Sequence, residues 1–371
     1  MSRLKTFFLA ALIFSLTGCS GPSVIAYSRG LYFEQLAEGE FRSRQELTTA
    51  AIKNYENAIE QYNSAVHFQP KYTECFHHRG LCYRRLEKYS EAAKDLSEAI
   101  ALEPGNWETW RDRAFNYVGD GKIEPALSDF TEALHINPKS DSVLAARAHC
   151  QQLLQKYDQA IADASQAIRL NAAAQNYCCR AGVYRAMREY PKMFADYKAA
   201  IKASPHSAET YEEKAYGDLN AGLDHEAYQG FIAALHLSRW KQKPAYSVIT
   251  ACMACMEEGV DGSSLLDQGV EVLGIPVATA DGAQDAVPSQ HWPEPAIQYF
   301  HGDITQATLL ALAKGNRNRM TEVNTYLAYE NLYHDKLPQA KNLLRWVAEN
   351  GNHDFYEYEL AVSKLARMAD E

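Results

Sequence analysis

Two consecutive stretches of this chain carry one pattern 34 residues apart, and that interval constrains the fold more than any other feature. In the first stretch the pattern is Phe76, Arg79-Gly80, Tyr83, Ala92, Asp95-Leu96, Ala99-Ile100 and Pro104. Shifted by 34 it becomes Trp110, Arg113-Ala114, Tyr117, Ala126, Asp129-Phe130, Ala133-Leu134 and Pro138. The spacing within each stretch predicts two amphipathic helices of about a dozen residues. Turns fall at Leu86-Glu87-Lys88-Tyr89 and Asp120-Gly121-Lys122-Ile123. Small residues sit where the two helices must approach closely, aromatics fill the space between them, and the proline stops the second helix. One such unit cannot bury its apolar face alone, so units must stack. The expectation is an all-α solenoid of helix pairs rather than one globular core.

Further copies flank these two. A third contains Leu144, Arg147-Ala148, Ala160, Asp163 and Ala167-Ile168, and ends at Asn171-Ala172 without proline. The fourth contains Tyr177, Arg180-Ala181, Tyr184, Met193, Asp196-Tyr197 and Ala200-Ile201, and ends at Pro205 after 33 residues instead of 34. The fifth keeps Tyr211, Lys214-Ala215, Ala227, Phe231 and Ala234-Leu235 but has lost both proline and aspartate. Ahead of them, Ala58-Ile59, Tyr62, Ala65-Val66 and Pro70 preserve only the second-helix half, as a capping repeat would. The array therefore spans 45–239. Its aromatic, small and proline positions resemble the tetratricopeptide repeat, which implies an all-α tetratricopeptide-repeat superhelix.

Residues 1–18 begin with Arg3 and Lys5, continue into a short apolar run, and read as an export signal. The run is too short to span a bilayer. It ends in Leu16-Thr17-Gly18-Cys19, which resembles the lipobox of bacterial lipoproteins. That resemblance implies acylation of Cys19, removal of everything before it, and, with Ser20 following, outer-membrane placement facing the periplasm. An ordinary signal peptide with a chance cysteine is the alternative. Residues 19–44 read as an irregular, lipidated tether. Beyond the array, 240–291 reads as a helical and loop linker, with helix-compatible stretches at 245–258 and 263–273 and a Gly/Pro-rich loop after them. Helices return over 292–371 with one degenerate repeat. A Trp292-Pro293 start, the stretch Tyr299-Phe300-His301-Gly302-Asp303-Ile304 and the aromatic terminal helix resemble the NlpI family of lipoproteins.

Charge narrows the function classes. The formal net charge is −10, and loss of Arg3 and Lys5 with the signal would make it −12, a poor match for nucleic acid. Cysteines other than Cys19 number seven, an odd set that forbids complete intrachain pairing, so most read as small core hydrophobes.

Several polar constellations are candidates for chemistry. Arg79, Arg113, Arg147 and Arg180 each precede Asp95, Asp129, Asp163 and Asp196 by 16 residues. Such a matched ladder, repeating with the structural period, reads as interhelical ion pairs more readily than as a ligand strip. In related repeats the first helices line a concave groove. Carried over by position, that resemblance places Arg84, Arg85, Arg111, Phe115, His149, Arg185 and Tyr216 in a partner-binding groove, a mixed basic and aromatic surface suited to a protein segment. Cys252-Met253-Ala254-Cys255 could be a redox pair, but it lacks the strand context and the second motif that redox or zinc sites need. The histidines show no metal-ligand spacing, and no nucleophile elbow, phosphate loop or zinc-protease motif is present.

These observations lead to the expectation of a membrane-anchored scaffold or adaptor, not an enzyme, with no cofactor or metal. Its partners would be periplasmic or envelope proteins. Resemblance to the NlpI family implies cell-wall hydrolases or a protease among them, and homodimerisation. An assembly lipoprotein for outer-membrane protein insertion or pilus biogenesis, and an enzyme using Cys252 and Cys255, are the other two readings.

Overall fold

A computed structural model describes residues 21–44, 48–237, 244–259, 261–277, 288–289, 291–352 and 355–370. The signal segment and Cys19 lie outside them. The described residues form nineteen α-helices and no strand, and no described helix is long and apolar enough to cross a membrane. They divide into two compact units, Met1–Leu170 and Asn171–Glu371.

In the first unit, α1 (Pro22–Arg44) and α2 (Thr49–Phe68) are followed by three helix pairs: α3 (Thr73–Arg85) with α4 (Tyr89–Leu102), α5 (Trp107–Gly119) with α6 (Ile123–Ile136), and α7 (Asp141–Leu153) with α8 (Tyr157–Leu170). The turn inside each pair passes through a left-handed residue at the same repeat position: Glu87 (φ 57°), Gly121 (φ 71°) and Gln155 (φ 57°). Asn106 and Ser140 cap α5 and α7 by accepting from the amides of Glu108 and Val143. At the crossing of α3 and α4, a Cβ on Gly80 would lie 2.8 Å from the Leu96 side chain, which is why this position is small in every copy. The second helices supply the interior, with Ala92, Leu96 and Ala99 in α4 and Ala126, Phe130 and Ala133 in α6 fully buried.

Residues 22–44 differ from the expected tether. They form a 23-residue helix packed on α2 and meeting α3. Its inner face mixes the small Ala26, Gly30 and Ala37 and the acidic Glu34 with the partly buried Tyr27 and Phe33, and so does not register as a continuous apolar stripe. Gly30 presses on the Tyr62 ring, where a Cβ would approach to 2.4 Å. Glu34 accepts from the Tyr62 hydroxyl (2.6 Å) and Glu38 from that of Tyr55 (2.9 Å).

The second unit opens with two more pairs, α9 (Ala174–Ala186) with α10 (Tyr190–Ala203) and α11 (Ala208–Ala221) with α12 (Asp224–Leu237). Arg188 (φ 58°) and Gly222 (φ 77°) make their turns. Next come α13 (Pro244–Glu258), α14 (Ser263–Leu273), α15 (Glu294–His301) and α16 (Gln306–Ala313). The pair α17 (Arg317–Tyr333) and α18 (Leu337–Asn350) precedes the final helix α19 (Tyr356–Asp370). Asp335 (φ 57°) turns α17 into α18 through a left-handed residue, as Glu87, Gly121 and Gln155 do in the first unit.

The described part of 240–291 is not a linker. In α13, Val248, Ile249, Ala251, Cys252, Met253, Ala254 and Cys255 are all buried. Six of these seven, all but Cys255, join Phe231, Ile297, Tyr326 and Leu327 in one apolar cluster. A stretch buried on every side, as 248–255 is, belongs at the centre of a unit, and here it takes the place of regular repeats in the packing core.

Candidate functional site

The repeated arginines are absorbed by structure. In each of the four copies the guanidinium grips the aspartate through Nε and Nη2 at 2.6–2.8 Å, joining the first helix of the pair to the second. Three of them reach further. Arg79 Nη1 donates to Asn63 (2.7 Å), Arg113 Nη1 to Ser97 (2.8 Å) and Arg147 Nη1 to Thr131 (3.4 Å), each on the second helix of the preceding pair. Aromatics cover the guanidinium planes, as Trp110 and Tyr117 do for Arg113.

The candidate site is the first-helix face of the first unit. Arg84 and Arg85 stand at the end of α3, Arg111 and Phe115 on α5, and His149 on α7. Arg85 is held by Glu38 of α1 (Nε, 2.8 Å) and lies over the Phe41 ring. Arg111 Nε donates to Asp112 Oδ1 (2.9 Å) and its guanidinium lies over Trp107. Asp112 also meets His77 Nε2 at 2.8 Å, a direct link between α3 and α5. Burial would raise the Asp112 carboxyl, but the hydrogen bonds from His77 and Arg111 win and hold it below its ordinary range. Phe115 is half-buried and packs edge-on against Phe130, with centroids 5.1 Å apart, while His149 is exposed.

Arg84 differs from its neighbours. Its Nε is buried without a hydrogen-bond partner, and among the described residues no ion pair holds its guanidinium. Burial pulls its pKa below the usual guanidinium value; Asp112 and Glu38 attract it from a distance, and Arg85 and Arg111 repel it. Its Nε carries a desolvation cost that no hydrogen bond among the described residues offsets.

The other two groove candidates lie in the second unit and are not open to solvent. Arg185 is 7 % exposed; its Nε donates to Glu359 of α19 (2.7 Å), Glu213 lies 3.8 Å from Nη1, and Nη1 reaches the Tyr197 hydroxyl. Tyr216 is buried edge-on against Phe231. The C-terminal helix covers what position in the repeat marks as a groove. Sequence reasoning also missed Asp112, Glu34 and Glu38, whose only signal was their spacing next to or one turn from charged neighbours.

Cys252 and Cys255 are free thiols buried in α13. Burial pushes both up, Cys255 to about 11, the opposite of what a redox nucleophile needs. Among the described residues no three His, Cys, Asp or Glu side chains gather as a metal site.

Residues 73–106, the α3–α4 unit with its following turn, match the model of the tetratricopeptide repeat. No curated protein matches the sequence. Among solved structures, yeast Tom70 aligns with 98 % of this chain and 73 % of its own, at 13 % identity and a TM-score of 0.57. A tetratricopeptide repeat protein from Parabacteroides merdae aligns with 65 % of this chain and 93 % of its own, at 18 % identity and a TM-score of 0.51. At such identities these likenesses speak for the fold alone. Residues 73–106 are thus similar to a tetratricopeptide repeat, and they are set in an all-α solenoid fold of stacked helix pairs.

Proposed function

We propose that this protein is a lipid-anchored scaffold that holds periplasmic or envelope proteins through the first-helix face of its first unit. The observation that carries the reading is Arg84, a half-buried arginine whose enclosed Nε has no hydrogen-bond partner, with the half-buried Phe115 on the next first helix. A partner segment offering a carboxylate next to an apolar side chain would satisfy both. The work is non-covalent: an anchor at Cys19 raises the effective concentration of whatever is bound near the envelope. The NlpI-like C-terminal motifs support cell-wall hydrolases or a processing protease as the partner class.

Crosslinking in intact envelopes followed by purification of the chain tests this. Native protein is expected to bring down a cell-wall enzyme, Arg84→Glu to lose it, and Cys19→Ala to leave the membrane fraction. Recovery of no cell-wall enzyme with the native chain removes the partner assignment. Unchanged capture by Arg84→Glu removes the site.

A further inference from the structure

We propose that α19 is a latch on the second unit, and that ionisation of the buried carboxyl pair Glu322 and Glu357 loosens it from the α9–α11 face. The inference is independent of any partner assigned to the first unit.

Four sets of contacts hold α19. Glu359 accepts from Arg185 of α9, and Ser363 Oγ donates to the Asn220 carbonyl of α11 (2.9 Å). Leu360 and Ala361 are fully buried, and Lys341 of α18 donates to the Met368 carbonyl (3.2 Å). The fourth set is at the first turn, where Glu357 is 4 % exposed. There its carboxyl accepts from the Tyr326 hydroxyl (3.1 Å) and its carbonyl from Thr325 Oγ1 (3.2 Å), both on α17.

Glu322 lies one helical turn before Tyr326 on α17 and is 2 % exposed. It accepts from Trp292 Nε1 (2.6 Å) and the Tyr246 hydroxyl of α13 (3.3 Å). Among the described residues, neither carboxyl has a Lys, Arg or His ion-pair partner. The charged and titratable groups facing them are each other, Tyr246 of α13, Tyr326 and Arg319 of α17, and, beyond Tyr326, Tyr216 of α11. Arg319 favours the Glu322 carboxylate, but its guanidinium lies over the Trp292 ring rather than on the carboxyl.

Two carboxyls buried together without a cation cannot both ionise in place. Burial first, and the facing carboxylate second, push Glu322 up to about 8, and burial raises Glu357. The sign follows directly. A carboxyl whose folded pKa is raised holds its proton in the docked state, so the stability it supports is complete at and below the ordinary carboxyl range. That stability is lost as pH rises towards and through the raised value. Of the two groups, Glu322 is fixed in a helix flanked by α13 and α18, whereas Glu357 sits in the first turn of α19. Relief comes most readily by moving α19. Its departure uncovers Arg185, Glu213, Tyr216 and Asn220, a first-helix face shaped for a helix that presents a carboxylate as α19 does.

Amide hydrogen exchange on the full-length chain between pH 5.5 and 9, corrected for the intrinsic rate, tests the latch. Protection of α19 around Leu360 and Ala361 is expected to fall by up to about tenfold per pH unit as pH rises towards the raised value of Glu322 and to level off beyond it, as linkage to one proton dictates, while α4, α6 and α17 keep theirs. Glu357→Gln and Glu322→Gln, which keep the shape but cannot ionise, are expected to flatten the dependence. Protection of α19 that is constant with pH, that falls in step with α17, or that keeps its pH dependence in both variants overturns the proposal.

Discussion

Replacing an arginine by methionine is expected to have opposite signs at two positions of the same unit. In Arg113→Met the change removes both bonds to Asp129 (2.7 and 2.8 Å) and one to Ser97. The pair is enclosed, with side chains 16 % and 6 % exposed, so Asp129 is left as a buried, uncompensated charge. Breaking a buried pair from one side costs about 3–5 kcal/mol, and the partial exposure of Arg113 places this case near the lower end. A loss of about 3 kcal/mol lowers Tm by about 6–12 °C in a unit of this size. In Arg84→Met no ion pair is broken. The substitution keeps the apolar stem and removes a buried Nε that has no partner, relieving a desolvation cost of about 1–3 kcal/mol. Loss of the distant attraction of Asp112 and Glu38, itself offset by repulsion from Arg85 and Arg111, leaves a net gain of about 1 kcal/mol. Urea and thermal unfolding, followed by circular dichroism and by the fluorescence of Trp107 and Trp110, measure both. If Arg84→Met destabilises the unit as Arg113→Met does, Arg84 is a structural residue and the proposed site fails.

Two further outcomes follow from the turns and the thiols. Gln155 adopts a left-handed conformation that Gly121 occupies in the neighbouring pair; Gln155→Gly is expected to raise stability by about 0.5–1 kcal/mol and Gly121→Ala to lower it by about 1 kcal/mol, as read by urea midpoints, and equal responses would refute the strain. Iodoacetamide at pH 8 is expected to modify Cys179 first, and Cys252 and Cys255 only in denaturant, because burial keeps those two thiols protonated; mass-spectrometric detection of early labelling at Cys252 would contradict this.

What the sequence disclosed was what repeats. The period placed the helix pairs, their turns and the Arg–Asp ladder, because each copy must solve the same packing problem and so shows the same residues. Non-repeating packing left weaker traces. Helix α1 was obscured because its inner face interleaves Tyr27 and Phe33 with Ala26, Gly30 and Ala37 and with the acceptors Glu34 and Glu38, so aromatic packing, close approach and hydrogen bonds alternate without a continuous apolar stripe. The α13 segment read as a linker because a helix buried on all sides has no polar face to set its periodicity. Position within the repeat put Arg84, Arg111 and Phe115 on first helices, but it also put Arg185 in an open groove, because nothing local to α9 reveals that Glu359, 174 residues further on, returns to bond it.

The rigidity of α1 bears on how the proposed anchor would act. The helix starts at Pro22, three residues after Cys19, and three residues of chain reach at most about 10 Å. An acyl group at Cys19 would therefore be mounted on a strut bonded to α2 and α3, instead of swinging on a leash some 25 residues long. The first unit would ride at a fixed standoff from the lipid surface with its orientation restricted, and bound partners would be confined to a thin layer above the membrane.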